Sequence, residues 1–272
     1  MDRPFSQIDE FTPEVLEQLR RESFLAQIEM AEQVGSTSDW ALDALRDASQ
    51  SRAFPLLFLC DRQTSGRGRS GNAWWAGRGA LTFTLVVAPP ADRLPPSRWP
   101  LLSLAVGVAI VDAVQAVTGD SIAQLKWPND VYMSGRKAAG ILIEAPPHRR
   151  DLLAIGVGIN VSHRIDEAPE SIRNVATSLH EATGQTVTRP YLLLEALRRI
   201  EQAIYLVVEH DPWLIDRANA LHMLTGKSVQ LKLPLETVTG RVQEIDPDGG
   251  LVLQTESGQR RFRSGTVAAF EP

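Results

Sequence analysis

The chain has 272 residues, 43% of them hydrophobic and 22% charged, and carries a formal net charge of −5. That length can bury a sizeable core, and it suggests one large domain or one plus a small partner. The acidic balance argues against nucleic acid as the main partner, and the single cysteine, Cys60, excludes an intramolecular disulfide framework and fits a reducing cytosol.

The start, Met1-Asp2-Arg3-Pro4-Phe5, has no basic-then-apolar leader, and no apolar run reads as long enough to span a bilayer, so a cytoplasmic location without a membrane partner is expected. Thr12-Pro13-Glu14 is a helix start: Thr as N-cap, Pro at the first helical position and Glu near the positive end of the dipole. Residues 1–23 read as an N-terminal helical extension, too small for a helix-turn-helix module, so no DNA reader is expected. Ile28–Ala31 alternates as a strand. Ser36-Thr37-Ser38-Asp39 then opens a helix predicted from Trp40 to Ser49, with the hydroxyls as capping groups that also suit a ligand's carbonyl or carboxylate.

Phe54–Cys60 reads as an apolar strand in which Cys60 is a core residue. It leads into Asp61-Arg62-Gln63-Thr64-Ser65-Gly66-Arg67-Gly68-Arg69-Ser70-Gly71-Asn72-Ala73-Trp74-Trp75, a run without helical or strand periodicity. Glycines let backbone N–H groups approach a ligand, arginine offers a planar fork matched to carboxylate or phosphate, and tryptophan offers a face for stacking. Gly66-x-Gly68-x-x-Gly71 spells the dinucleotide fingerprint, but that motif must open a helix, and here the chain runs on into two Trp, Gly77-Arg78-Gly79 and a strand from Ala80 to Val87. No Gly-Lys-Ser/Thr closes it as a phosphate loop either. The run is read as a ligand loop for a small anion beside a planar heterocycle.

Leu101–Val117 is apolar on nearly every face and is expected as a buried central helix. Ile122–Trp127, Val131–Met133, Lys137–Glu144 and Leu152–Val161 continue the sheet. Lys126, Asp130 and Lys137 lie on neighbouring strands beside Gly140, Gly156 and Gly158, which leave room for a pocket taking an acid and a nucleotide. Two amphipathic helices, Tyr191–Val208 and Pro212–Leu224, come next. After Thr225-Gly226 the period shortens to strands at Ser228–Leu233, Thr237–Ile245, Gly250–Gln254, Arg260–Arg263 and Thr266–Phe270, which suggests a small β-barrel packed closely on the body. Arg260, Arg261 and Arg263 read as a solvated face, and no chemical candidate is placed in this barrel. The histidines at 148, 163, 180, 210 and 222 lack metal-ligand spacing, so no side chain is assigned to a metal.

In four motifs the sequence resembles the biotin–protein ligases over roughly residues 28 to 270: Gly66-Arg67-Gly68-Arg69 with Gly71 and Trp74, Lys126-Trp127-Pro128-Asn129-Asp130, Lys137 to Glu144, and Gly156 or Gly158 to Asn160. The resemblance implies an α/β (α+β) fold, a mixed β-sheet flanked by helices of the class II synthetase-like type at residues 24–224, with the β-barrel at 226–272. It implies an ATP-dependent, AMP-forming biotin–[acetyl-CoA-carboxylase] ligase that forms biotinyl-5′-adenylate and transfers biotin to a lysine of a biotin carboxyl carrier domain, with biotin, ATP and Mg2+ as small-molecule requirements. The lack of an N-terminal DNA-binding domain resembles the non-repressor class, and a homodimer is left open. The alternatives are a lipoate or octanoate ligase of the same fold and a non-catalytic biotin or nucleotide sensor.

By resemblance Lys137, Arg67 and Asp130 are the catalytic candidates. Ser36, Thr37, Ser38, Gln63, Gly66, Arg67, Gly68, Arg69, Lys137, Gly140 and Gly156 are the biotin-side candidates. Arg67, Arg69, Trp74, Lys126, Asn129, Lys137 and Asn160 are the ATP-side candidates. Lys137 would hold the biotin carboxylate and the α-phosphate, Arg67 would close over both, and Asp130 would receive or orient the acceptor lysine's proton. One departure stands out, Ser38 where the family usually has Asn.

Overall fold

The computed structural model describes residue 5 and residues 7–47, 51–90 and 92–270. Helix α1 (Pro13–Glu22) is capped by Thr12 with Pro13 at its first turn. Strand β1 (Gln27–Val34), helix α2 (Thr37–Ala44) and strand β2 (Leu56–Gln63) follow. Helix α2 begins three residues before the expected start, because Ser36 takes the N-cap and draws Thr37 and Ser38 into the first turn. It also ends at Ala44; Ser49, its expected end, lies outside the described residues.

The glycine-arginine run opens no α-helix, only a single 3-10 turn at Arg69–Gly71, in keeping with the rejection of the dinucleotide fingerprint. It does have strand structure: β3 (Gly66–Arg67) pairs antiparallel with β4 (Ala73–Trp74) around a turn in which Ser70 and Gly71 take left-handed angles, φ 55° and 76°. Then come β5 (Leu81–Val87), α3 (Trp99–Thr118), β6 (Ala123–Lys126), β7 (Asp130–Met133), β8 (Arg136–Glu144) and β9 (Leu153–Ile159). Helices α4 (Glu170–Arg173), α5 (Leu179–Thr183), α6 (Arg189–Val208) and α7 (Trp213–Leu221) lead to the C-terminal strands β10 (Ser228–Lys232), β11 (Thr237–Ile245), β12 (Leu251–Thr255), β13 (Gly258–Phe262) and β14 (Thr266–Phe270).

Strands β1-β2-β5-β9-β8-β7-β6 make one seven-stranded sheet in that order, parallel between β1 and β2 and antiparallel elsewhere. Its two faces follow from the period-two alternation of the strands. Leu57 and Leu59 of β2, Leu81, Phe83 and Leu85 of β5, and Ile155, Val157 and Ile159 of β9 join α3 and α6 in the main core. Leu56 and Phe58, Val86 and Ala154 point the other way, against Ala41 and Leu45 beside α2. On that second face the apolar pattern breaks at Thr82, Thr84, Gly140, Gly156 and Gly158, and there the sheet is left open to a ligand.

Helix α3 corrects one expectation. With its preceding turn it runs from Pro96 to Thr118, 23 residues, long and apolar enough to cross a bilayer. It is instead interior, with 78% of its most apolar window buried against the sheet and neighbouring helices. The C-terminal strands form a five-stranded antiparallel sheet, β13-β12-β11-β10-β14, whose Val229, Leu231, Val242 and Leu253 belong to the same core as the body. Close packing of this end was expected and is observed. Asn219 of α7 exchanges two hydrogen bonds with the Ile245 backbone at 2.9 and 2.8 Å. The arginines of that end behave as a solvated face, with Arg260 paired to Glu236 and Arg263 to Asp248.

Candidate active site

One cleft gathers most of the sequence candidates. Its hydroxyl end is built by the first turn of α2. Ser36 caps the helix, its Oγ accepting from the Asp39 N–H at 3.4 Å. The Thr37 N–H and hydroxyl donate to Gln63 Oε1 at 2.9 and 3.3 Å, and the Ser38 hydroxyl lies 3.2 Å from Thr84 Oγ1. All these side chains are buried yet line or back the cleft. Gly156 leaves the space that Ser38 uses: a Cβ there would lie 2.7 Å from the Ser38 hydroxyl.

The middle of the cleft is a glycine floor under the Trp74 indole. Gly140 and Gly158 pair in register between β8 and β9. A Cβ on Gly158 would lie 2.5 Å from the indole, and one on Gly140 would lie 3.3 Å from both Trp74 and the Lys137 side chain. Gly68 also lines the cleft, its N–H bonded to the Asn72 carbonyl at 2.7 Å to close the loop.

The cationic end comes from β6, β7 and β8. Lys137 Nζ lies 2.6 Å from Asp130 Oδ1 and 5.6 Å from the Trp74 ring centre. Arg69 donates to Asn129 Oδ1 at 3.0 Å, and the Asn129 amide is fixed in turn by the Ile141 carbonyl at 2.6 Å. Lys126 is buried, donating to the Tyr132 hydroxyl at 3.1 Å and lying over the Tyr132 and Phe270 rings. Burial pulls its pKa below the usual lysine range, and nearby Asp130 opposes that pull. Burial likewise lowers Arg69 and pushes the Tyr132 phenol up to about 12.

Arg67 lines the cleft, but its donors are turned toward two carboxylates. Its fork meets Glu144 at 3.1 and 2.8 Å, and Nε lies 2.7 Å from Asp39. The Glu144 hydrogen bonds hold its pKa above the ordinary arginine range.

Two candidates fall outside the lining. Asn160 is buried behind the cleft, its amide nitrogen donating to the Thr177 carbonyl at 2.9 Å and so tying strand ends together, while its side-chain oxygen has no partner among the described residues. Gly66 does not line the cavity either; a Cβ there would lie 2.2 Å from Gln63 Nε2 and 2.6 Å from the Trp74 carbonyl, so it makes room for those two groups. Sequence reasoning missed Asp39, Thr84, Glu144, Trp127 and the stretch Gly265–Val267. Threonines alternating in an apolar strand signal Thr84, and Glu144 closes the Lys137 motif. Gly265, Thr266 and Val267 line the cleft from the C-terminal sheet, a part of the chain in which the sequence offers no chemical candidate. Trp127 joins the two parts by donating its indole N–H to the Gly249 carbonyl at 3.0 Å.

The comparisons with known proteins identify the family. The model of the Biotin/lipoate A/B protein ligase family matches residues 30–162, and that of the Biotin protein ligase C terminal domain matches residues 225–268. The biotin--[acetyl-CoA-carboxylase] ligase of Mycobacterium tuberculosis is 34% identical over 230 residues, covering 84% of this chain and 83% of that protein. The bifunctional ligase/repressor BirA of Bacillus subtilis is 30% identical, and the match covers 78% of this chain and 65% of that relative's length. Among solved structures, the biotin protein ligase of Aquifex aeolicus in complex with biotin and ATP aligns with a TM-score of 0.78 at 29% identity, over 91% of this chain and 98% of that one. With the family models, the relatives and the fold in agreement, the chain belongs to the biotin protein ligases of the biotin/lipoate A/B protein ligase family.

Proposed function

We propose that this protein attaches biotin to a lysine of a carboxyl carrier domain at the expense of ATP, through biotinyl-5′-adenylate. The observation that carries the reading is the Lys137–Asp130 pair, 2.6 Å apart, in the cationic end of a cleft whose other end is a set of buried hydroxyls and whose middle is a glycine floor under Trp74. The hydroxyl end suits the neutral ring of biotin, and the cationic end suits a nucleotide.

In the first step a biotin carboxylate oxygen bonds to the α-phosphorus of ATP, and the bond to the pyrophosphate oxygen breaks. Negative charge grows on the pentavalent phosphorus, and Lys137 is the cation nearest the middle of the cleft to stabilise it. Arg69 and Lys126 flank the same end and would meet the phosphates. In the second step the acceptor amine attacks the acyl carbon, AMP leaves, and the ammonium proton must be taken up. Once Lys137 turns to the new negative charge, Asp130 loses its cation and becomes free to receive or orient that proton.

Among the described residues no three potential metal-ligating side chains meet. Magnesium would arrive with the triphosphate, held mainly by its phosphate oxygens. Residues 24–224 would then be the catalytic body and 226–272 the piece that completes its nucleotide side.

The test incubates the folded chain with biotin, ATP and a carboxyl carrier domain, and mass spectrometry follows both adenylate and carrier. Carrier gaining one biotinyl group is expected, and Lys137→Ala should slow adenylate formation about a hundredfold or more with little change in melting. Folded wild-type protein that forms neither adenylate nor labelled carrier would overturn the reading.

A further inference from the structure

We infer that Thr84, buried on β5 beneath the first turn of α2, is a positioning residue that sets the hydrogen-bond polarity of the ring-binding end of the cleft. The inference rests on the proposed biotin ligand.

The number of available hydrogens fixes the direction of each bond. A backbone N–H can only donate, so the Gln63 atom 2.9 Å from the Thr37 N–H must be its carbonyl oxygen and not its amide nitrogen. The Thr37 hydroxyl spends its one hydrogen on that same oxygen at 3.3 Å. Thr37 Oγ1 can then only accept from Thr84, 3.0 Å away. That bond uses the single Thr84 hydrogen, so across the 3.2 Å contact the Ser38 hydroxyl is the donor. The chain therefore runs one way: Ser38 to Thr84, Thr84 to Thr37, Thr37 to Gln63.

The register places Thr84 at the centre of this arrangement, opposite Phe58 on one side and Gly156 on the other, fully buried. With the Ser38, Thr84 and Thr37 hydrogens committed, Ser38 and Thr37 have only lone pairs to offer, while Ser36, whose oxygen accepts from the Asp39 N–H, stands outside this chain of bonds. Gln63 has only its amide nitrogen, which lies in the space left by Gly66. A ring carbonyl flanked by N–H groups matches one fixed donor beside fixed acceptors. A ligand that presents a lone pair where an N–H belongs meets oxygen lone pairs that cannot turn away.

The experiment measures binding of biotin and of its cyclic carbamate analogues, in which ring oxygen replaces one or the other ureido N–H, to the wild-type chain, Thr84→Val and Thr84→Ser. Wild type should prefer biotin by at least about tenfold over the worse carbamate. In Thr84→Val the Ser38 hydroxyl is released to rotate and donate, so the preference should fall to within about threefold, and Thr84→Ser should restore it. If Thr84→Val does not fold, Thr84→Ala, which also lacks the hydroxyl, takes its place. Equal loss for biotin and carbamates, or an unchanged preference, would mean that Thr84 only supports packing and would overturn the inference. A folded wild-type chain that binds no biotin would instead overturn the functional reading and, with it, the ligand named here.

Discussion

Replacing Gly158 by alanine tests whether the glycine floor seats Trp74 and, through it, the nucleotide. A Cβ at 158 would stand 2.5 Å from indole Cε2, 2.6 Å from Nε1 and 2.8 Å from Cζ2. Ordinary contact begins near 3.4 Å, so the ring must move by roughly 1 Å, and an indole cannot bend away as a lysine can. Retreat is blocked on the other side too, because Trp74 belongs to β4 and its backbone is paired to Gly66. Overpacking of this kind costs about 1–3 kcal/mol, which lowers the population of seated Trp74 by about 5- to 150-fold. The apparent affinity for ATP should weaken by a factor in that range. Biotin binding should change less, because Gly156, two residues earlier on the same strand, serves the Ser38 end separately. Initial rates at varied ATP and equilibrium binding of biotin would measure the two. The double variant Gly158→Ala, Trp74→Ala separates cause from coincidence: with the indole gone the added methyl has nothing to strike, so the pair should be no worse than Trp74→Ala alone. If the two losses simply add, or if Gly158→Ala is silent, the floor does not act as argued.

Two further predictions concern charge. Glu144→Gln removes the bidentate partner of Arg67, a partly exposed contact worth on the order of 1 kcal/mol, so an anionic adenylate analogue should bind several-fold tighter because Arg67 then leaves only one carboxylate, Asp39, to meet it; unchanged or weaker binding would contradict this. His163 and His222 are buried, and burial lowers both imidazoles to about 4 from an ordinary 6.5. The unfolded chain therefore takes up these protons first, so stability is complete above pH 6.5 and declines toward pH 4, by about 3 kcal/mol for each histidine. Urea midpoints measured between about pH 7 and 4.5 should show that slope, and His222→Gln should reduce it; a flat profile would show that the rings are not held neutral.

Much of the body was legible because its signals are local. Thr12-Pro13-Glu14 caps a helix wherever it occurs, and an alternating strand such as β5 declares its two faces. The candidate site was legible where chemistry clusters along the chain, as in the 61–75 run and at Lys126 to Asp130. Features that depend on the third dimension were not. Arg67 reads as a free fork, yet its partners Asp39 and Glu144 come from α2 and β8, 28 and 77 residues away in number, and only the fold brings them together. Asn160 reads as a ligand amide, and what the sequence does not show is that its nitrogen is already bonded to the Thr177 carbonyl across the strand end. Helix α2 reads from Trp40 but starts at Thr37, because hydroxyl residues serve equally as caps and as first-turn residues, and only the geometry at Ser36 separates the two.

The C-terminal strands show how a piece with no reactive side chain can still shape a reaction. Trp127 sits between the cationic Lys126 and Asp130, and its indole N–H is held by Gly249 in the turn before β12. Lys126 lies 5.2 Å from the Phe270 ring of β14, and Gly265, Thr266 and Val267 close the cleft wall beside it. The backbone of residues 126–128 therefore has one side on the cleft and the other on the C-terminal sheet, and both share one continuous core. Any shift of that sheet must either break the Trp127 bond or carry the 126–130 segment with it. Packed interiors resist gradual deformation, so the positions of Lys126 and Asp130 depend on a domain that contributes neither residue.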